Sequence, residues 1–552
     1  MCLCGGCSAD RGNGDEVHVK RRKSIVRDLV CVAAMAWVTA MPVEAADGPI
    51  LRTGAGMLQG LQQEGADAYL GIPYAQPPVG ERRWRAPKAI GRWQGVRDAT
   101  KFAASCYQAA PRTWGPFTDE FVQVGTVSED CLYLNIWTPS HRSARLPTMV
   151  WIHGGGFGSG SGSIPIYNGA RLAAQGAVVV SINYRVGAFG FLAHPALSRE
   201  SAHRVSGNYG LLDMIAALTW VRAHIGDFGG DPARVTIVGQ SAGAVAVNDL
   251  LVSPLAKGLF VGAIAQSGSG MGVRALPLAE AEANGERLFQ AEGDSSAQRL
   301  RSLPAERVLA LANADPPTAD GKPRPRGLSF APVLDDYALT ADPDRPSARP
   351  QSQVPLVTGF DADEGYIFGA PSMTPGAFET TVRDRYGEMA ADLLAAYPHA
   401  TPQEASASAE LIGRDRYMAS LVLWYQGRTK THRAAIFPYY YMHPFPGPDQ
   451  ARFGTFHTSE VPYVFGVLDQ GGRPFTQADR EVSAQFMIRW LAFLRTGNPN
   501  APGLPLWSPA GAQTTQVMGI GDVPGLTPAV STPERLELFR KYVAAGGHLT
   551  LF

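Results

Sequence analysis

The sequence predicts an α/β protein with one large, mostly parallel, twisted sheet flanked by helices. The β-branched run Val235–Val238 is typical of a buried strand, and the run Val245–Leu251 beyond it suits a helix. Between them, Gly239–Gly243 reads Gly-Gln-Ser-Ala-Gly, and its outer glycines permit a sharp strand-to-helix turn. A second apolar strand, Thr148–Ile152, runs directly into the glycine-rich segment His153–Phe157. Buried strands followed by turns and helices favour a parallel sheet.

The turn at Gly239–Gly243 makes Ser241 a candidate nucleophile. In a strand–turn–helix junction of this kind, the serine hydroxyl stands exposed above the edge of the sheet. A chain with 61 glycines can also contain chance Gly-x-Ser-x-Gly matches. The strand before the turn and the helix after it therefore carry the prediction.

The consecutive glycines Gly154–Gly156 are a candidate oxyanion hole. Without side chains in the way, their backbone N–H groups can converge on one point, which a developing oxyanion requires. The alternative is a flexible loop, because Gly158, Gly160 and Gly162 follow nearby. The strand that leads directly into the glycines favours the oxyanion hole.

A nucleophilic serine also needs a base and an acid that orients the base, and the residues alone leave both open. Folds with this serine turn carry the acid and then the histidine later in the chain. The histidines after Ser241 are His399, His432, His443, His457 and His548. The buried strand Val354–Thr358 leads to three carboxylates, which are Asp361, Asp363 and Glu364.

Many ordered motifs are spread over roughly residues 50 to 510. They are Gly71–Ala75, Pro77–Gly80, Trp84–Pro87, Ser128–Asn135, Asn183–Phe191, Gly207–Asp213, Phe228–Pro232 and Thr496–Pro499. Together with the two glycine-rich turns, they make the chain resemble the type-B carboxylesterase family. This family of α/β-hydrolases includes cholinesterases and bacterial para-nitrobenzyl esterases.

The resemblance implies an α/β-hydrolase fold with helical insertions that form a gorge over the site. It implies hydrolysis of small-molecule carboxylic esters to acid and alcohol through an acyl-serine intermediate, with no metal and no organic cofactor. Residues that match catalytic positions are Ser241 as nucleophile, Glu364 as acid and His457 as base. The backbone N–H groups that match the oxyanion hole belong to Gly155, Gly156 and Ala242.

Further residues match supporting positions of the family. Ser267 and Glu460 correspond to groups near the acid and the histidine. Cys106 and Cys131 correspond to a disulfide that closes a surface loop. The matching ion pairs of the scaffold are Arg83 with Glu129 and Arg185 with Asp213.

Departures from the family pattern argue against a dedicated cholinesterase. Gln240 stands before the nucleophile where cholinesterases carry glutamate, and Phe121 stands in place of a choline-binding tryptophan, with Trp114 nearby but out of register. A quaternary ammonium needs an aromatic face and negative potential, and both are weaker here. Met214 replaces a usual glutamine at a helical position and is expected to affect packing only. Two alternatives remain: a specialised hydrolase of a bulky natural ester, carbamate or toxin, and a non-catalytic binding protein.

Composition and length complete the domain prediction. The chain has 49 basic and 49 acidic residues, so nothing indicates nucleic acid or a membrane surface as a partner. Its 552 residues alone suggest several domains. Because Ser241 and His457 must meet in one site, we instead expect a single catalytic domain over residues 46–552. Helical insertions are expected at about residues 275–329 and 375–433.

The first 45 residues have the layout of a secretory signal. The basic cluster Lys20–Lys23 precedes the apolar stretch Leu29–Met41, and Val43–Ala45 offers a cleavage point after Ala45. This stretch is shorter than the roughly 20 residues of a membrane anchor. The alternative is a retained leader, because the polar part before the basic cluster is long. We predict a secreted or periplasmic protein.

Four of the six cysteines lie in this leader: Cys2, Cys4, Cys7 and Cys31. The first three are spaced like metal ligands, but no fourth ligand is near, so no metal site is predicted there. Cys106 and Cys131 remain in the mature chain, where an oxidising compartment would let them pair.

Overall fold

The structure is a computed structural model that describes residues 48–141, 145–314, 330–345 and 347–550. The predicted leader and its cleavage point after Ala45 lie outside these residues. The described residues belong to one compact unit.

An eleven-stranded sheet forms the centre of this unit. In chain order its strands are β1 Leu61–Gln63, β2 Ala66–Pro73, β3 Tyr133–Pro139, β4 Leu146–Ile152, β5 Val178–Ile182, β6 Gly230–Gln240, β7 Gly262–Gln266, β8 Leu356–Asp361, β9 Ile436–Tyr441, β10 Gln516–Ile520 and β11 Gly525–Pro528. The order across the sheet is β11-β10-β9-β8-β7-β6-β4-β5-β3-β2-β1. All neighbours from β10 to β5 pair in parallel, and the pairs at both edges are antiparallel. The predicted large, mostly parallel sheet is confirmed.

Helices cover the sheet. The longer ones are α1 Tyr209–His224, α2 Ala242–Val252, α3 Leu278–Phe289, α4 Ala305–Asn313, α5 Pro375–Tyr386, α6 Pro402–Arg428, α7 Gln477–Thr496 and α8 Pro533–Ala544. Shorter α-helices are Asp119–Val122, Ala170–Ala174, Gly187–Phe191, Pro195–Glu200, Ala297–Ser302, Ala390–Ala396, Gln450–Phe453 and Val461–Phe465. Helices α3 and α4 lie in the first predicted insertion, and α5 and α6 lie in the second.

Local sequence explains where the longest helix begins. The Thr401 hydroxyl accepts the Glu404 N–H (3.2 Å), and the Glu404 carboxylate accepts the Thr401 N–H (3.1 Å). This capping box satisfies two backbone donors that a helix start leaves free. Pro402 at the first helical position has a backbone angle that suits the helix and has no N–H to satisfy.

The central strands are largely buried because helices cover both faces of the sheet. Every residue of β5 and β8 is buried. Parallel strands also end at one common edge. The carboxyl ends of β6, β7 and β8 therefore bring Gln240, Gln266 and Asp361 to that edge together.

Strand β8 extends further than the sequence suggested. The prediction placed a strand at Val354–Thr358, whereas the structure has it at Leu356–Asp361. Pro355 has no N–H to donate to the ladder, and pairing with β9 continues as far as Asp361 opposite Tyr441. Asp361 is therefore part of the sheet, and only the residues after it form the loop.

Both predicted ion pairs of the scaffold are confirmed. Arg83 Nε lies 2.6 Å from Glu129 Oε2, and Arg185 Nε lies 2.7 Å from Asp213 Oδ2. The Arg185–Asp213 pair is fully buried. Removing one partner of such a pair typically costs about 3–5 kcal/mol, because the other charge is left without compensation.

Cys106 and Cys131 form a disulfide. Closing a loop of this size typically contributes about 3 kcal/mol to stability. Disulfides are typical of proteins outside the reducing cytosol. Among the described helices, none combines the length and apolar character that crossing a membrane requires. Met214 is fully buried in α1, in agreement with a packing role.

Candidate active site

Ser241 occupies the turn between β6 and α2. Its backbone has φ 58° and ψ −127°, a region that non-glycine residues rarely adopt. The surrounding structure holds this conformation, because the Ser241 N–H donates to the Gln266 carbonyl (2.9 Å) and its own carbonyl accepts the Val245 N–H (2.9 Å). Strained backbone of this kind is often found at functional sites.

The positions that flank Ser241 leave no room for a side chain. A Cβ at Gly239 would lie 2.3 Å from the Gly243 carbonyl oxygen, and a Cβ at Gly243 would lie 2.0 Å from the Ile152 carbonyl oxygen. A side chain at Gly239 would clash within the turn itself, and one at Gly243 would clash with β4, so the tight junction predicted from the sequence needs glycine at both places.

The glycine loop Gly154–Gly156 lies against the serine. A Cβ on Gly154 would be 3.1 Å from the Ser241 Cβ, and Gly155 and Gly156 have φ 111° and 62°. Among the described residues, no acceptor takes the backbone N–H groups of Gly155, Gly156 or Ala242. These three donors are therefore available to a ligand.

The glycine loop is anchored at both ends, which argues against the flexible-loop alternative. Tyr184 donates its hydroxyl to the His153 carbonyl (2.8 Å). On the other side, Gln108 holds Gly160 by two hydrogen bonds of 2.8 Å each, one to its N–H and one to its carbonyl. Donors fixed in this way can stabilise charge without reorganising.

The structure brings His457 and Glu364 into direct contact. His457 Nδ1 hydrogen-bonds to Glu364 Oε2, and the other oxygen of Glu364 accepts the Asp361 N–H (2.9 Å). Glu364 has no exposed surface and His457 is 6% exposed. An ionised Glu364 fixes Nδ1 as the donor, which leaves the lone pair of the imidazole on Nε2.

The remaining histidines have other surroundings. His432 contacts the Val354 carbonyl (2.8 Å), His443 lies between Asp479 (2.9 Å) and Asp522 (2.8 Å), His399 contacts the Tyr397 carbonyl (2.8 Å), and His548 is exposed. Of the five histidines, only His457 pairs with one of the three carboxylates left open by the sequence.

Asp363 does not contact His457 as Glu364 does, but forms an ion pair and backbone hydrogen bonds. Its Oδ1 lies 2.6 Å from Arg414 Nη2, and its Oδ2 accepts the Thr455 N–H (2.8 Å). The Asp363 N–H in turn donates to the Thr455 carbonyl (2.9 Å). Asp363 thus joins the segment that carries Glu364 to the segment that carries His457.

Nε2 of His457 contacts the side chain of Gln240, whose nitrogen lies 3.3 Å away. Among the described residues, no hydrogen bond joins Nε2 to the Ser241 hydroxyl. Burial lowers the pKa of His457, but the charge and hydrogen bond of Glu364 and the charge of Glu460 outweigh it, so the pKa is raised. Sequence reasoning noted Gln240 as a departure but gave no sign of this contact.

Asp361 and Glu460 form a buried carboxyl pair behind the Glu364–His457 contact. Burial and the charges of Glu460 and Glu364 raise the pKa of Asp361 well above its usual range, and burial also raises the pKa of Glu460. The Asp361 carboxyl contacts the Glu460 carboxyl and the Thr458 backbone N–H. Two carboxyls in contact satisfy each other only by sharing a proton, so we assign Asp361 as the neutral member.

Two supporting residues of the family pattern lie at the same edge. Glu460 accepts the Gln266 side-chain N–H (2.9 Å). Ser267 directly follows β7, and its N–H donates to the Gly359 carbonyl (2.8 Å). Its buried hydroxyl has no hydrogen-bond partner among the described residues, so its contact is with the backbone of β8.

Phe121 is buried, with its ring 5.6 Å from both Phe445 and Phe456. It therefore packs inside an aromatic cluster and presents no open face. Trp114 is 47% exposed and lies beside Phe368, with 5.9 Å between their ring centres.

Comparisons with known proteins identify the family. The family model described as "Carboxylesterase family" matches residues 47–534. The chain belongs to the carboxylesterase family. It is 37% identical over 519 residues to a fumonisin B1 esterase of Sphingopyxis macrogoltabida, covering 89% of this chain and 92% of that protein. It is 36% identical over 464 residues to the para-nitrobenzyl esterase of Bacillus subtilis (strain 168), covering 82% and 90%.

A third relative of this carboxylesterase is a phenmedipham hydrolase of Pseudarthrobacter oxydans, 32% identical over 493 residues and covering 86% of this chain and 95% of that protein. A solved structure of a PNB esterase is also similar, with a TM-score of 0.73 and 32% identity over 89% of this chain and 99% of that one. The protein is a carboxylic ester hydrolase with the α/β-hydrolase fold.

Proposed function

We propose that this carboxylesterase is an exported serine hydrolase in which Ser241, His457 and Glu364 act as nucleophile, base and acid. The observation that carries the proposal is the buried contact between His457 and Glu364, located at the sheet edge where β6 ends in Ser241. The non-catalytic binding protein is disfavoured, because the serine, the histidine and the carboxylate are all present.

In the proposed reaction, Ser241 Oγ attacks the ester carbonyl while His457 Nε2 takes its proton. Negative charge develops on the carbonyl oxygen, and the N–H groups of Gly155, Gly156 and Ala242 stabilise it. The imidazolium, stabilised by Glu364, then gives its proton to the departing alcohol. Water then attacks the acyl-serine through the same proton transfers and releases the acid.

Gln240 has to leave Nε2 before this transfer can occur. Its amide N–H donates to the lone pair that must receive the Ser241 proton. We therefore propose that substrate entry brings the imidazole towards Ser241 and away from Gln240, and that the resting state keeps His457 oriented through Gln240.

The proposed chemistry is tested by blocking the serine. We expect a reactive organophosphate to add one equivalent, located on Ser241 by peptide mass analysis, and to abolish hydrolysis of a panel of para-nitrophenyl and naphthyl esters. Labelling at another serine, or hydrolysis that survives complete labelling, would contradict the proposal.

A specialised hydrolase of a bulky ester, carbamate or toxin is the second candidate. The relatives named as a fumonisin B1 esterase and a phenmedipham hydrolase favour it. The same ester panel, graded by acyl and alcohol size, separates the two candidates. A generalist esterase hydrolyses most members at similar kcat/KM, whereas a specialised enzyme prefers one bulky group strongly.

The pH profile should report the ionisation of His457. Only the neutral imidazole accepts a proton, and the pKa of His457 is raised above the ordinary value of about 6.5. We expect kcat/KM to be lost at low pH and to rise through a single midpoint above that value. In Gln240→Glu, a carboxylate beside Nε2 favours the imidazolium, so the midpoint should move up by about one pH unit or more.

Gln240→Met is the matched control for this measurement. It removes the hydrogen bond without adding charge, so the midpoint should stay close to that of the parent protein. A downward shift in Gln240→Glu, or equal shifts in both variants, would show that the profile does not follow His457.

We also propose that residues 1–45 are an export signal and that the mature domain covers residues 46–552. The Cys106–Cys131 disulfide supports an oxidising destination. Expression of the full chain in a host with a secretion pathway should give a periplasmic or extracellular product whose first residue is Ala46. In Ala45→Tyr, which offers no small residue at the cleavage point, the leader should remain attached. Unprocessed parent protein in the cytosol would contradict this assignment.

A further inference from the structure

A cavity lies beside the segment that carries the candidate acid. We call it the side cavity: its volume is about 220 Å³, and its walls come from residues 362–373, helix α5 and helix α6. Neither Ser241 nor His457 lines it. Two of its lining residues, Thr381 and Arg385, are exposed, so the side cavity reaches the surface.

The charges that line the side cavity are unbalanced. Three arginines and two carboxylates contribute to its walls: Arg385, Arg414, Arg416, Asp363 and Glu410. Both carboxylates bind the same arginine, because Arg414 Nη2 lies 2.6 Å from Asp363 Oδ1 and 2.6 Å from Glu410 Oε1. Among the described residues, no carboxylate forms an ion pair with Arg385 or Arg416.

Arg416 is the more unusual of the two unpaired arginines. It is 7% exposed, and its Nε is buried without a hydrogen-bond partner among the described residues. Its guanidinium carbon lies 4.8 Å from the centre of the Tyr417 ring, a cation–π contact that compensates only part of the charge. A buried charge without an ionic partner is unfavourable, and an anion in the side cavity would remove this cost.

The rest of the wall is apolar. Met373, Phe378, Val382 and Ile412 line the side cavity next to the arginines. A ligand that matches both parts has a planar anionic head and a short hydrocarbon body. A planar guanidinium group can donate two parallel hydrogen bonds to the two oxygens of a carboxylate.

We propose that the side cavity binds a small organic carboxylate, with Arg416 and Arg385 on the carboxylate and the apolar wall against its hydrocarbon body. The site contacts the catalytic segment directly. A Cβ at Gly365, the residue after Glu364, would lie 2.7 Å from the Tyr417 hydroxyl, so Tyr417 packs against that backbone. The carboxylate can arrive as a free acid, such as a product of ester hydrolysis, or as part of an ester substrate.

The first experiment measures binding without turnover. Benzoate is titrated calorimetrically into the full-length protein, with benzamide as its neutral counterpart. We expect saturable benzoate binding and none by benzamide. Arg416→Met should weaken benzoate binding about tenfold or more, as expected for loss of a charge-assisted hydrogen bond. Arg385→Gln should weaken it several-fold, and because Arg385 is exposed, this variant should fold normally.

Arg383→Gln is the matched control. Arg383 is an exposed arginine on the same helix, lies 3.4 Å from Glu379 and does not line the side cavity. Its replacement should leave benzoate binding unchanged. Equal binding of benzamide, tighter binding of inorganic phosphate than of benzoate, or benzoate binding that survives both Arg416→Met and Arg385→Gln would overturn the proposal.

A second arm identifies the source of the carboxylate, and it rests on the proposed function. Hydrolysis of the monomethyl and dimethyl esters of a dicarboxylic acid is compared in the parent protein and in Arg416→Met. A KM that rises only for the monomethyl ester indicates a carboxylate carried by the substrate. Unchanged KM values together with lost benzoate binding indicate a free carboxylate. Because the binding arm needs no turnover, failure of the serine mechanism leaves its result interpretable.

Discussion

Ser241→Ala should lower kcat/KM for a para-nitrophenyl ester by about a millionfold, which is the scale seen when a serine hydrolase loses its nucleophile. Alanine keeps the Cβ and therefore the same backbone strain at φ 58°. The melting temperature should consequently stay close to that of the parent protein. Glycine would be a poor choice here, because it would relieve the strain and change two properties at once.

Ser267→Ala is the matched control for this experiment. Ser267 is also a serine with positive φ, 54°, and it follows the neighbouring parallel strand β7. If the large loss came from disturbing a strained serine at the sheet edge, both variants should show it. We expect a far smaller loss in Ser267→Ala. Substantial turnover by Ser241→Ala would remove Ser241 from the mechanism.

Glu364→Gln should lower kcat by about four orders of magnitude, because it favours the imidazole tautomer that cannot accept the proton of Ser241. The glutamine oxygen can still accept the Asp361 N–H, which Glu364 accepts at 2.9 Å. Its NH₂ group then faces His457 Nδ1 and donates to it. The imidazole proton would move to Nε2, where no lone pair remains to receive the proton of Ser241.

Asp361→Asn and Asp363→Asn are the comparisons that decide the assignment of the acid. Asparagine resembles a neutral carboxyl, the form that burial favours at Asp361 by raising its pKa. At position 363 it keeps an oxygen for the Thr455 N–H while leaving Arg414 with Glu410. In steady-state kinetics, each of these two variants should lose much less kcat than Glu364→Gln. A reversed ranking would transfer the role of the acid to the more sensitive residue.

Local features of this fold could be predicted from the sequence because they depend on neighbouring residues. The strand–turn–helix at Ser241 needs only a β-branched run, two glycines and an apolar helix. The structure has them as Gly230–Gln240 and Ala242–Val252, somewhat longer than predicted. The anchored glycine loop was likewise visible as a strand that ends in glycines.

Contacts across long stretches of chain could not be derived from the residues. The choice of Glu364 and His457 joins positions 93 residues apart, and only the family resemblance identified the pair beforehand. The raised pKa of Asp361 depends on complete burial and on the charge of Glu460, neither of which leaves a local pattern. The unpaired charge of Arg416 is equally hidden, because one arginine in a helix resembles any other until its neighbours are known.

Asp363 also constrains how this protein can change over evolutionary time. Its N–H donates to the Thr455 carbonyl and its carboxylate accepts the Thr455 N–H. It is also the immediate neighbour of Glu364. A one-residue insertion or deletion between Gly359 and Glu364 would move Asp363 out of register with Thr455 and Glu364 out of register with His457 in a single event. We therefore expect descendants of this sequence to vary in length within the helical insertions, while the spacing from Gly359 to Glu364 stays fixed.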